Sequence, residues 1–310
     1  MANNTKTKKK RSASKKKPSA AKKKAPSKKK SSAKKNGAYT RKTAAAKKKE
    51  ANALSKKNII IIIACVLALA GVITAIVLAS GAASINPKTR AGIESIDKGD
   101  DNPAWGIDVS SHNGKINWKK VSKKADFAFI RVGYRGYATG EINADKKAKA
   151  NLSGANKNKV PVGVYFYSQA INEKEAIKEA KFLLKSIKDY DVTLPVVIDF
   201  EYAYSKGKIT GRLYKAGLSK KEKTALINAF CDTVRKAGYT PGVYASSYIY
   251  RSHLNMKSIP DDVFIWVADY NGRVTYSGYY DIWQYSEKGK CEGVSSKKVD
   301  TNYFYTKKRL

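Results

Sequence analysis

The nine residues LPVVIDFEY, 194–202, contain the sharpest contrast in this sequence. Pro195, Val196, Val197 and Ile198 form an apolar run that ends abruptly in Asp199, Phe200 and Glu201. A short continuous apolar run is the mark of a strand buried on both faces, as in a parallel sheet covered by helices. Side chains two residues apart on a strand point the same way, roughly 6.6 Å apart along it. Asp199 and Glu201 therefore share one face, on the row that contains Val197.

Strand and helix signals alternate on either side of this run. Strands are predicted over 105–110, 126–134, 160–169 and 239–247, and again over 262–270, 280–286 and 299–305. Helices are predicted over 117–125, 145–158, 173–189 and 219–238, with a short one near 248–255. Within 173–189, Ile177, Ala180, Phe182, Leu183, Leu184 and Ile187 make one apolar stripe. Ser219 and Glu222 have capping-box spacing, and Gly238 supplies a stop. Five strand–helix units followed by three strands predict an α/β fold, a modified TIM-like β/α barrel over 105–310. An open doubly wound sheet is the alternative. The chain has no glycine-rich loop of the dinucleotide or P-loop type, so no cofactor is expected.

The net charge of +37 is unevenly distributed. Residues 1–57 hold 23 Lys and Arg against one acid, Glu50. They lack apolar periodicity, so a disordered tail is expected. Such a tail suits either DNA phosphates or anionic lipid head groups beside a membrane. The next segment favours the membrane and makes nucleic acid the weaker partner. Ile59 to Ala79 is 21 residues without a charge. As a helix it would span roughly 30 Å, the thickness of a bilayer core. Residues 58–80 are therefore expected to be an uncleaved transmembrane signal anchor. A cleaved signal peptide is the rival, but its apolar region is shorter, about 7–15 residues. The excess of Lys before the span predicts a single-pass protein, with its N-terminus cytoplasmic and residues 85–310 outside. Residues 81–104 read as a polar linker with no helix. Beyond residue 84 lie all 8 Phe, all 4 Trp and 19 of the 20 Tyr, so the large core must be built there.

In a barrel, the ends of strands that carry Asp199 and Glu201 outward form the mouth, where active sites lie. Two carboxyls close together in a partly dry place cannot both ionise freely. One is kept protonated as an acid while the other stays an anion. That pairing suits cleavage of a glycosidic bond. Asp108 ends the first strand and Asp300 lies near the start of the last, which adds two acids. Tyr134, Tyr165, Tyr167, Tyr202, Tyr244, Trp266, Tyr270, Trp283 and Tyr285 lie at the same strand ends. Aromatic rings stack on the apolar faces of sugars, although many such rings are simply core. The only histidines, His112 and His253, have no second ligand at metal spacing, so no metal site is expected. Cys65, Cys231 and Cys291 form no disulfide framework, and two unpaired thiols outside the apolar run are favoured over a Cys231–Cys291 bridge.

At these residues the chain resembles the family 25 glycoside hydrolases, the Chalaropsis-type lysozymes, over about 105–305. The resemblance rests on GIDVSSHNGKINW (106–118), LPVVIDFEY, PGVYASSYIY (241–250), FIWVADY (264–270) and DIWQYS followed by VDTNYF, in that order. It implies hydrolysis of the β-1,4 bond between N-acetylmuramic acid and N-acetylglucosamine in peptidoglycan. It also implies Glu201 as general acid/base and Asp199 as partner of the substrate 2-acetamido group, with Asp108 and Asp300 completing the acids. Retention of configuration with help from that acetamido group is implied as well. A chitinase-like hydrolase and a non-catalytic wall-binding membrane anchor are the alternatives.

Overall fold

The computed structural model describes residues 85–99 and 102–310. The Lys-rich tail and the apolar span of 58–80 lie outside the described residues. Among the described residues no helix is long and apolar enough to cross a membrane.

The chain enters through α1 (Pro87–Ile96), β1 (Ala104–Val109) and α2 (Trp118–Val121). Then come β2 (Phe127–Arg135), β3 (Ile142–Ala144), α3 (Ala148–Lys157), β4 (Val162–Ser168) and α4 (Glu173–Ile187). The middle contains β5 (Val196–Phe200), β6 (Ala203–Ser205), β7 (Lys208–Thr210), α5 (Arg212–Lys215) and α6 (Lys220–Lys236). The chain closes with β8 (Pro241–Ser246), α7 (Ser247–Ser252), β9 (Phe264–Ala268), β10 (Ile282–Gly289) and β11 (Val299–Phe304).

Eight strands close a barrel in the order β1, β2, β4, β5, β8, β9, β10, β11 and back to β1. Each neighbouring pair from β1 to β10 is parallel. β11 runs antiparallel to both β10 and β1. Five strand–helix units are followed by three further strands, as the sequence pattern predicts.

Strand alternation sorts the side chains into two layers. On β5, Val196, Ile198 and Phe200 join the outer core beneath the helices, while Val197 joins the cluster inside the barrel. Phe127, Phe129, Phe264, Trp266 and Phe304 fill that interior. Glycine makes room for them at two places. A Cβ at Gly106 would lie 2.6 Å from the Phe127 ring, and one at Gly163 would lie 2.2 Å from the Phe129 ring.

The helices carry the caps their sequences announce. Ser219 and Glu222 form the reciprocal capping box of α6. Asn172 caps α4 by accepting from the Glu175 amide at 3.0 Å. The buried face of α4 is Ala176, Glu179, Ala180, Leu183 and Ile187. Glu179 is tolerated there because Arg135 Nε donates to it at 2.6 Å and Ser168 Oγ at 2.6 Å. Cys231 and Cys291 are both buried and unpaired.

One expectation is corrected. The segment 81–104 is not a featureless linker, because α1 lies within it. Asn86 caps α1 by accepting from the Lys88 amide at 2.8 Å, and Pro87 opens it. Ile93 and Ile96 are buried in the same cluster as Phe127, Leu194 and Phe304, so α1 plugs the end of the barrel opposite the mouth. Thr306 Oγ1 donates to Asp97 just beyond the helix at 2.5 Å. Two large apolar residues, Ile93 and Ile96, in a ten-residue helix give almost no periodic signal. The surface they cover exists only once the barrel has closed.

Candidate active site

A cleft of about 1030 Å³ opens at the barrel mouth, and Asp108, Asp199, Glu201 and Asp300 all line it. Each acid arrives by strand parity. Asp108 shares the inward row of β1, and Asp199 and Glu201 extend the inward row that begins with Val197. Asp300 needs the reversed direction of β11. That reversal puts the start of the strand at the mouth, as register partner of Asp108.

The acids are held differently. Asp108 Oδ2 accepts from Gln284 Nε2 at 2.8 Å and from Asn302 Nδ2 at 2.8 Å. Gln284 is itself fixed by the hydroxyls of Tyr244 at 2.8 Å and Tyr270 at 2.6 Å, both donating to its Oε1. Asn302 is fixed by Trp266 Nε1 at 2.9 Å. Burial pushes Asp108 up to about 6, and these two amide donors limit the rise. Burial, the Asp108 charge and the charges of Glu287 and Glu201 push Asp300 up to about 8. Asp300 therefore keeps its proton at neutral pH and donates it in a hydrogen bond to Asp108.

Burial raises Glu201 to about 7, the Asp108 charge adds to the rise, and Arg131 opposes it. Asp199 is raised further above the carboxylate range by burial and then by the Glu201 charge, again opposed by Arg131. Asp199 Oδ1 is buried with no hydrogen-bond partner among the described residues. Burial and mutual repulsion thus oppose simultaneous ionisation of the four acids, which is the electrostatic condition for one to act as an acid near neutral pH.

Of the aromatic residues singled out in the sequence, Tyr134, Tyr165, Tyr167, Tyr244, Trp266 and Tyr270 line the cleft. Trp266 is almost fully buried as floor, whereas Tyr270 stands exposed at the rim. Two of the expected substrate-binding residues lie elsewhere, and both fail by parity. Tyr202 follows inward Glu201 and so turns outward, edge-on to Tyr214 and His253 in the outer core. Trp283 lies between inward Ile282 and Gln284. It turns to the outside, donates to Asp269 O at 2.8 Å and packs against Tyr285 and Tyr303. Tyr285 shares that outer face, stacked on Tyr303 with ring centroids 4.5 Å apart.

The sequence reasoning missed Arg131, Gln284 and Asn302. Arg131 donates to Asp145 at 2.9 Å and to Ser111 Oγ at 3.2 Å, and stands over the Tyr134 ring. A signal for all three was present. Each is a polar residue on the inward row of its strand: Arg131 in line with Phe127 and Phe129, Gln284 in line with Ile282, and Asn302 in line with Asp300 and Phe304. The sequence also did not point to Tyr204, which lines the cleft from β6, or to Tyr137, Lys146, Lys297 and Lys298, which line it from loops.

Comparison with known proteins agrees with this geometry. The model for glycosyl hydrolases family 25 matches residues 107–294. The modular autolysin LytC from Streptococcus pneumoniae, solved with a synthetic peptidoglycan ligand, superposes with a TM-score of 0.56 at 30% identity. That match covers 67% of this chain and 48% of the autolysin, so the chain spans about half of that relative's length. A family 25 glycosyl hydrolase from Bacillus anthracis superposes with a TM-score of 0.54 at 25% identity, over 68% of this chain and 93% of its own. The lysozyme of Lactococcus phage mv1 is 29% identical over 121 residues, 37% of this chain and 56% of that protein. With the family model covering more than half of its length, this chain belongs to the glycosyl hydrolases of family 25.

Proposed function

We propose that this protein is a membrane-anchored lysozyme, cleaving the β-1,4 bond between N-acetylmuramic acid and N-acetylglucosamine in peptidoglycan. The observation that carries the proposal is the gathering of four carboxyls on one open cleft, with Glu201 holding a proton close to neutrality. Glu201 gives that proton to the departing glycosidic oxygen as the bond from the sugar C1 breaks. The buried, unpartnered Oδ1 of Asp199 accepts the N–H of the 2-acetamido group. This holds the acetamido carbonyl oxygen for attack on C1, forming a cyclic intermediate and retaining configuration once water opens it. Glu201, now an anion, takes the proton of that water. Asp108, held by Gln284 and Asn302, adds negative charge near the positive charge that develops on the sugar.

The family supports glycoside hydrolysis, and the autolysin relative binds a peptidoglycan ligand. The anchor rests on the uncharged run of 58–80 and the Lys excess before it. The proposed placement is a cytoplasmic N-terminus and an external catalytic domain, with the Lys-rich tail near anionic lipid head groups.

A digest of defined peptidoglycan, read by mass analysis, tests the bond. Products with reducing-end N-acetylmuramic acid support the proposal, and reducing-end N-acetylglucosamine alone would refute it. Protease added to intact cells tests the topology. Clipping of the barrel with the tail spared is expected, and the reverse would overturn the orientation.

A further inference from the structure

The cations that line the cleft are confined to one side of it. Arg131 stands on β2, Lys146 follows β3, and Lys297 and Lys298 precede β11, so all four belong to the β11–β1–β2 third of the barrel mouth. The opposite wall, from β4 to β9, offers Tyr167, Tyr204 and Tyr270 and, among the described residues, no cation. Arg131 already has a partner in Asp145. Lys146, Lys297 and Lys298 are exposed and have no ion-pair partner among the described residues. Nor do they serve the catalytic acids, since Arg131 is the cation that lowers Asp199 and Glu201.

The loops that carry the three lysines are stitched together. Asn113 Nδ2, in the turn after β1, donates to Ser296 Oγ and to Lys298 O, each at 3.3 Å. Lys115 N donates to Ser295 Oγ at 2.9 Å, and Ile116 bridges Val294. On the other flank, buried Asp145 accepts from Ser111 N at 3.0 Å and from Lys147 N at 2.8 Å, which fixes the segment bearing Lys146. The backbone of three exposed lysines is thus set along one rim by loops that are themselves fixed. Like charges gathered on one wall of a cleft attract anions to it.

We infer that Lys146, Lys297 and Lys298 form a carboxylate-binding arc that seats the acidic stem peptides of the glycan strand, against the aromatic wall that takes the sugars. This rests on the proposed peptidoglycan substrate. The arc gives the cleft a polarity: a strand carrying peptide carboxylates is drawn in with them toward β11 and β1, and an uncharged glycan gains nothing there. Ammonium groups are point charges on flexible stems, suited to carboxylates whose position varies along a peptide.

The test uses the full chain carrying Glu201→Gln, so that soluble uncross-linked peptidoglycan strands are bound without being cut. Affinity is measured for native strands and for strands whose carboxylates have been converted to methylamides. About tenfold tighter binding of the native form is expected, since each of the three exposed pairs is modest alone. That preference should shrink as salt is raised. Adding Lys146→Gln, Lys297→Gln and Lys298→Gln should bring the preference to within twofold of unity. A control with Lys174→Gln, Lys178→Gln and Lys181→Gln, equal in charge and remote on α4, should keep it. Equal binding of the two forms, a preference that survives loss of the arc, or its equal loss in the control would each overturn the inference. Cleavage by the chain with Glu201 intact reports on the hydrolase proposal separately.

Discussion

Asp108 and Asp300 are register partners across the antiparallel β1–β11 pair, which brings a fourth carboxyl to the barrel mouth. A barrel with every strand parallel would leave the start of its last strand at the plugged end, about one strand length away from Asp108. The reversal of β11 is therefore what completes the acid cluster.

The raised Asp300 carboxyl makes stability depend on pH. Asp300 rises from an ordinary 3.8 to about 8 on folding, so the folded chain keeps a proton that the unfolded chain releases. The associated stabilisation is full below about pH 4 and is lost as pH climbs through about 8. Asp300→Asn keeps a donor toward Asp108 and removes the titration. The melting temperature of the variant should fall less than that of the unaltered protein between pH 5 and pH 9, by roughly 2–4 °C for each kcal/mol recovered. Thermal melts across that range check it; parallel curves would contradict the assignment of the proton to Asp300.

Catalysis should fade on the alkaline side for a related reason. In the proposed mechanism Glu201 must hold its proton to act, and burial raises it to about 7. The rate constant kcat/KM is expected to fall tenfold per pH unit above that point. Glu201→Gln, which matches the volume and lacks the acidic proton, should lower kcat by about 10²–10⁴. Asp199→Asn should be comparably severe. His112→Ala, at the cleft wall, should matter less. Turbidity loss of a peptidoglycan suspension over a pH series reads all four.

The barrel interior tolerates no side chain at Gly163. An alanine there puts a methyl carbon 2.2 Å from the Phe129 ring, in a strand closed on both sides. A loss of about 1–3 kcal/mol or more is expected. Urea unfolding of Gly163→Ala measures it, and an unchanged midpoint would mean that the ring has room to move.

At the plugged end, fully buried Asp281 accepts from Arg309 Nε at 2.7 Å, Arg309 Nη2 at 3.0 Å and Ile265 N at 2.8 Å. Asp281→Ala strands a partly buried guanidinium and should cost about 3–5 kcal/mol. Asp281→Asn, which keeps the acceptor for Ile265, should cost less. Denaturant midpoints of the two variants decide the order.

Local chemistry in the sequence determined the elements and their order. The apolar run in LPVVIDFEY, the capping box at Ser219 and Glu222, and the count of five strand–helix units with three trailing strands are all properties of short stretches, and the barrel contains each of them. Parity also placed Asp199 and Glu201 on one inward row. Applied throughout, the same rule would have excluded Tyr202 and Trp283 and flagged Arg131, Gln284 and Asn302. Only the tertiary structure decided the direction of β11, the use of α1 as a plug, and the set of loops that brings Lys146, Lys297 and Lys298 to one rim. These depend on contacts between residues far apart in the chain, such as Asn113 with Lys298 and Asn86 with Gly238, which no local pattern encodes. The raised acids follow from the same cause, because desolvation is set by everything that closes around a carboxyl and not by its neighbours in sequence.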